Sequence, residues 1–203
     1  MSTYEYGIVG PTGSMPQARG SILPVPDREI YAGRVVTLRL RDVPGRNGAV
    51  HMREIVEHAP AAAVIAVDDQ QQILLVRQLR PAVDQVLLEL PAGILDPGED
   101  PITCARRELE EETGYTADRL EPLVRFYPSP GFCTELLHVF VADGLRECTG
   151  QPDEDEELEV VRMPLAEAME LLRRGEITDS KTVVGLLAFK EYRSGVQPSA
   201  DPA

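Results

Sequence analysis

Three glutamates, Glu108, Glu111 and Glu112, stand at relative positions i, i+3 and i+4 in the stretch GILDPGEDPITCARRELEEETGY, which runs from Gly93 to Tyr115. At 3.6 residues per turn that spacing gathers them on one side of a helix, while Glu110 points elsewhere. Like charges so placed cost about 0.2–0.5 kcal/mol per pair. They also lie in the C-terminal half of the helix, where its dipole disfavours anions. A divalent cation would reverse both penalties, and hard oxygen donors at short range suit Mg2+ or Mn2+. Arg107 can reach Glu111 one turn on and hold it in place. A run of glutamates is ordinarily a solvated face, so the surrounding residues must decide between the two readings.

Those residues specify the helix. Gly98 supplies a turn, Asp100 is suited to the N-cap, Pro101 to the first helical position, and Gly114 to the residue just past the end. The helix is therefore predicted over Pro101 to Thr113, with Ile102, Ala105, Leu109 and Thr113 as its core stripe and the three glutamates beside it.

Position by position, the stretch resembles the signature of the Nudix hydrolase family: Gly93, five residues, Glu99, seven residues, Arg107-Glu108, the aliphatic Leu109, any residue, Glu111-Glu112, any residue, then Gly114. Tyr115 is the one departure, standing where the family has Ile, Leu or Val. The resemblance covers roughly Ala59 to Tyr192. It implies an α/β/α sandwich around a mixed sheet, an α/β (α+β) fold, with the signature helix packed beside the sheet. It further implies that Glu108, Glu111 and Glu112, with the main-chain carbonyl of Ala92, hold two or three Mg2+ ions, Glu108 and Glu112 supplying the central ligands. Gly93, Glu99 and Arg107 read as supports, Arg107 by pairing with a ligand carboxylate.

Substrate choice lies outside the signature. Glu89-Leu-Pro-Ala-Gly93 resembles the entry to the box in the ADP-ribose pyrophosphatase subgroup. Pro130, in Ser129-Pro-Gly-Phe-Cys-Thr-Glu135, lies sixteen residues past Gly114, the subgroup's marker spacing. Arg53-Glu-Ile-Val-Glu-His58 looks like that group's dimer-forming region. Taken alone, Pro130-Gly131 is a plain turn and each arginine a surface ion pair. With the box, Glu135 matches a position that contacts substrate, and Arg80 and Arg53 match positions that meet phosphates or terminal ribose, guanidinium groups offering paired donors. The acidic run Asp153–Glu157 is ordinarily a solvated loop. It lacks the glycine and glutamate of a calcium loop. Its place matches a mobile loop that carries a catalytic glutamate in the subgroup, and Glu154, Glu156 and Glu157 are the candidates for general base, Glu156 first. The resemblance implies hydrolysis of ADP-ribose to AMP and ribose 5-phosphate. Alternatives are another Nudix substrate (a nucleotide sugar, NADH, a diadenosine polyphosphate, an oxidised nucleoside triphosphate) or a non-catalytic nucleotide sensor; the latter commonly lose box glutamates that this chain keeps.

The remaining chain must position these groups. With 203 residues, 43% of them hydrophobic, it has enough for one catalytic domain and a small extra element. No apolar run approaches the ~20 residues of a membrane span, and MSTYEYGIVG lacks the features of a secretory leader. The three cysteines, Cys104, Cys133 and Cys148, have no metal-binding or disulfide spacing and read as reduced thiols of a cytoplasmic protein. A net charge of −14 with no basic stripe argues against nucleic acid as partner. Residues 1–27 read as a flexible arm, with Gly10–Ser14 as linker. Residues 28–58 read as an antiparallel β region turned at Pro44-Gly45 and Asn47-Gly48 and, by resemblance, as a homodimer contact. Strands are predicted at 61–67, 73–76, 86–90, 123–126, 136–141 and 158–161. Two helices follow, one from Pro164 with Leu165, Ala168, Met169 and Leu172 inward, the other capped by Ser180 with Val183, Val184, Leu187 and Ala188 inward. The domain ends near 193, with 194–203 as a tail. His51, His58 and His138 show no ligand spacing.

Overall fold

The computed structural model describes residues 27–45, 48–149 and 158–195. The expected arm up to residue 26, with its Gly10–Ser14 linker, Asn47 and most of the expected tail lie outside them. So do Glu154, Glu156 and Glu157.

The first three strands, β1 (Arg28–Ala32), β2 (Val36–Pro44) and β3 (Val50–His58), form an antiparallel sheet of their own. The β2–β3 register, Val36 opposite His58 through Pro44 opposite Val50, places the hairpin where Pro44-Gly45 predicted a turn. The second sheet contains β4 (Ala61–Val67), β5 (Gln72–Arg80), β6 (Gln85–Glu89), β7 (Ala92–Ile94), β8 (Tyr115–Phe126), β9 (Leu137–Glu147) and β10 (Leu158–Pro164). Its order is β10-β5-β4-β9-β8, with β6 on β5 and β7 on β4. β4 and β9 run parallel while the other pairs are antiparallel, the mixed sheet expected. The helices are α1 (Pro101–Thr113), α2 (Leu165–Arg173) and α3 (Ser180–Arg193). None of the described helices is long and apolar enough to cross a membrane.

β4 shows why helices cover both faces. Side chains alternate along a strand. Ala62, Val64 and Ala66 pack with Cys104, Ala105 and Leu109 of α1. Ala63 and Ile65 pack on the other side with Ala168 of α2 and Leu186 and Phe189 of α3. A strand buried on both faces needs the unbroken apolar run that β4 has.

Several expectations require correction. Ile102 is 40% exposed and Cys104 fully buried, because the first turn of α1 overhangs the sheet and the buried stripe begins one turn later. That stripe also includes Glu108 and Glu112. β8 starts at Tyr115, well before Leu123; Pro122 interrupts the donor pattern, and a register shift between Pro122 and Val124 lets the strand pass through it. The cap of α3 is Asp179, which accepts from the Thr182 amide. The buried residues of α3 are Lys181, Thr182, Gly185, Leu186 and Phe189, with the expected Val183 and Ala188 packed partly buried against the core and Leu187 left outside. A lysine and a glycine on the buried face hid that periodicity.

Candidate active site

α1 is built by local chemistry. The Asp100 carboxylate accepts from the amides of Ile102 and Thr103, Pro101 opens the helix, and Gly114 closes it at φ 70°, a left-handed conformation that glycine adopts without strain. The helix docks on β4 and β7 and thereby delivers its glutamates to the end of a cleft of about 760 Å³.

At that end Glu108 and Glu112 are buried, at 8% and 5% exposure, while Glu111 is more open. The backbone N–H of Ala92 donates to Glu112 Oε2 at 2.9 Å. Glu108 lies against Gly93 so closely that a β-carbon there would fall inside the carboxylate. Arg107 fastens the group. Its guanidinium donates through Nε and Nη2 to the two oxygens of Glu99 at 3.1 and 3.0 Å, and through Nη1 to Glu108 Oε1 at 2.6 Å and Glu111 Oε2 at 3.0 Å. Nη2 also reaches the carbonyl of Ile94 at 3.2 Å. The Glu99 hydrogen bonds, then Glu108 and Glu111, hold the Arg107 pKa far above its ordinary value against the opposing effect of burial. The same bonds hold the Glu99 carboxyl below the usual range. Burial chiefly, with Glu108 adding to it, pushes the neighbouring Cys104 thiol up to about 12, which removes it as a nucleophile at neutral pH.

Three carboxylates, those of Glu99, Glu108 and Glu111, thus share one guanidinium. The donor set is hard oxygen, and glycine at 93 leaves room for the Glu108 carboxylate to join it; such a set suits a divalent cation. Among the described residues no three His, Cys, Asp or Glu side chains are already arranged to hold one. Completing a coordination sphere therefore calls on other donors, such as backbone oxygen, water or substrate.

A second charged cluster, which the sequence did not reveal, forms the cleft wall. Glu89, at 0% exposure, receives two parallel bonds from Arg80, Nε to Oε1 at 2.8 Å and Nη2 to Oε2 at 2.7 Å. Lys181 at the start of α3 pairs with the same Glu89 Oε2 and lies 3.2 Å from Asp179. Burial pushes the Glu89 carboxyl upward, but Arg80 and Lys181 together outweigh it and hold the group below the usual carboxylate value. Lys181 and Glu89 are 92 residues apart in sequence, which left no local signal.

The segment from Ser129 to Glu135 brings Glu135 to the cleft, and β3 holds that segment. The Val56 amide donates to the Phe132 carbonyl at 2.7 Å, the Thr134 amide to the Val56 carbonyl at 3.0 Å, and the His58 amide to Thr134 Oγ1 at 3.0 Å. Glu135 then faces the cleft with His58 Nδ1 4.0 Å away. The first sheet therefore frames the site, and His58 lines the cleft although its sequence context offered no ligand spacing. Ala92, Gly93, Arg80, Arg107, Glu108, Glu111, Glu112 and Glu135 all line one cleft. Glu99 braces Arg107 from behind. Arg53 is not brought there; it is exposed on β3 opposite Arg41.

The NUDIX domain family description matches residues 57–184. An ADP-ribose pyrophosphatase of Bacillus subtilis (strain 168) is 44% identical over 167 residues, covering 80% of this chain and 90% of that protein. A methanol dehydrogenase activator of Bacillus methanolicus is 44% identical over 160 residues, covering 78% and 86%. Among solved structures, one described as an ADP compounds hydrolase superposes with a TM-score of 0.76 at 26% identity, covering 85% of this chain and 94% of that one.

Proposed function

The chain belongs to the NUDIX domain family, and from that premise we propose that it hydrolyses the pyrophosphate bond of ADP-ribose, releasing AMP and ribose 5-phosphate with Mg2+ as the working cation. The observation that carries the reading is the convergence of Glu108, Glu111 and Glu112 with the Arg80 wall and Glu135 on a single cleft. Relatives acting on ADP-ribose support the substrate.

When bound, divalent cations neutralise the diphosphate and make water a stronger nucleophile. Glu108 and Glu112 would be the principal ligands, with Glu111 and the Ala92 main chain completing the set. Arg107 keeps Glu108 and Glu111 converged despite their mutual repulsion, and the Ala92 amide holds Glu112, so little reorganisation is needed when substrate arrives. Arg80 offers guanidinium N–H groups to phosphate oxygen. Glu135 contacts the substrate across the cleft and orients it. A glutamate of the 154–157 run, Glu156 first, serves as general base. In this reading the protein is a cytoplasmic homodimer whose first sheet, with Arg53, meets a second copy.

The test is a product assay with Mg2+ over ADP-ribose, nucleotide sugars, NADH, diadenosine polyphosphates and oxidised nucleoside triphosphates. AMP and ribose 5-phosphate from ADP-ribose at the highest kcat/KM is the expected result. ADP-ribose falling outside the best substrates would sink the proposal.

A further inference from the structure

The cluster at the cleft wall contains more charge than binding α3 to the sheet requires. Thr182 already makes that attachment: its hydroxyl accepts from the buried Leu90 amide at 2.8 Å and donates to Asp179 at 2.6 Å. One residue earlier, Lys181 is 7% exposed and its ammonium is spent on Glu89 and Asp179. A buried ion pair is weak support for stability, since apolar residues of similar volume often do as well or better. Its persistence directly behind a cleft arginine requires another explanation.

The geometry supplies one. Glu89 is wholly buried, while the Arg80 side chain retains 39% exposure. The Glu89 fork occupies Nε and one side of Nη2, fixing the guanidinium plane and leaving its outer edge toward the cleft. Alone, Glu89 would also cancel the charge it orients. Lys181 balances Glu89, while Asp179, which accepts from the Thr182 amide at the α3 N-terminus, brings the four groups to formal neutrality. Lys181 thereby limits how far Glu89 cancels the charge of Arg80.

Resting on the reading that a diphosphate occupies this cleft, we propose that Glu89 and Lys181 are positioning residues for Arg80: Glu89 sets the guanidinium plane, and Lys181 offsets Glu89 so that the group that orients Arg80 does not also cancel its charge.

The test measures KM and kcat for ADP-ribose at saturating Mg2+ in Lys181→Met, Lys181→Arg and Glu89→Asp, each made in the wild-type and Arg80→Ala backgrounds. Lys181→Met and Glu89→Asp are expected to raise KM about tenfold, the scale of one charge-assisted hydrogen bond, with kcat within about threefold. Lys181→Arg should restore most of the affinity. In the Arg80→Ala background both effects should shrink below about twofold, because residues acting through Arg80 are not additive with its loss. Equal KM increases in both backgrounds, or none in the Arg80-containing enzyme, overturn the inference while leaving the ADP-ribose reading intact. Arg80→Ala with unchanged KM, or a wild-type chain inert on ADP-ribose, overturns both. Should Lys181→Met fail to fold, Lys181→Gln takes its place for the charge, while Glu89→Asp, which retains the charge balance and shortens the fork, tests the plane.

Discussion

The carboxylate of Glu108 occupies the space that a side chain on residue 93 would need. Glycine at that position is therefore a condition for the glutamate to reach the end of the cleft. Gly93→Ala should leave the sheet intact, since β7 pairs through its backbone, yet push Glu108 aside. A displacement of about 1 Å near reacting groups costs on the order of 100-fold, and kcat should fall by about that factor with an unchanged circular dichroism spectrum. Wild-type turnover in this variant would remove Glu108 from the reaction.

Glu112→Gln retains an oxygen to accept the Ala92 amide, so the fold should persist. The neutral amide is a poorer ligand for a hard cation. Losing even a residue that only supports a metal ligand weakens affinity about 10–100-fold, so half-maximal activation should require at least that much more Mg2+. A titration of turnover against Mg2+ checks this, and a midpoint equal to wild type would exclude Glu112 from the metal site.

Thr134 joins the Ser129–Glu135 segment to β3 through His58, accepting its amide at 3.0 Å and donating to its carbonyl at 3.2 Å. Thr134→Val should loosen the segment and with it Glu135. KM should rise about three- to tenfold, the scale of one hydrogen bond, while the thermal midpoint stays close to wild type. An unchanged KM would mean that Glu135 needs no such anchor.

Acid stability follows from Glu89 and Glu99, whose folded pKa values lie below the usual 4.5. A depressed carboxylate contributes stability that is fully present above its unfolded value and lost as pH falls toward its folded value. Urea midpoints should therefore hold above about pH 5 and decline progressively below the usual 4.5. The Glu89→Gln, Lys181→Met double variant should show a shallower decline; the same slope would mean that Glu89 does not contribute to it.

Along α1 the outcome was written locally. Asp100, Pro101 and Gly114 act on backbone groups within a few residues, so both ends of the helix could be read from the chain, and the i, i+3, i+4 spacing alone put Glu108, Glu111 and Glu112 together. β4 was equally legible, since an apolar run of that length has to be covered on both faces. Packing at a distance was not. That Cys104 replaces Ile102 in the core depends on where the helix crosses the sheet. That β8 passes through Pro122 depends on a bulge against β9. Lys181 carried no signal in the chain; the fold closes a gap of 92 residues to set it on Glu89. Capping and helical periodicity are short-range and belong to the chain itself; which charges share a buried pocket depends on segments meeting across the sheet, and only the tertiary structure decides that.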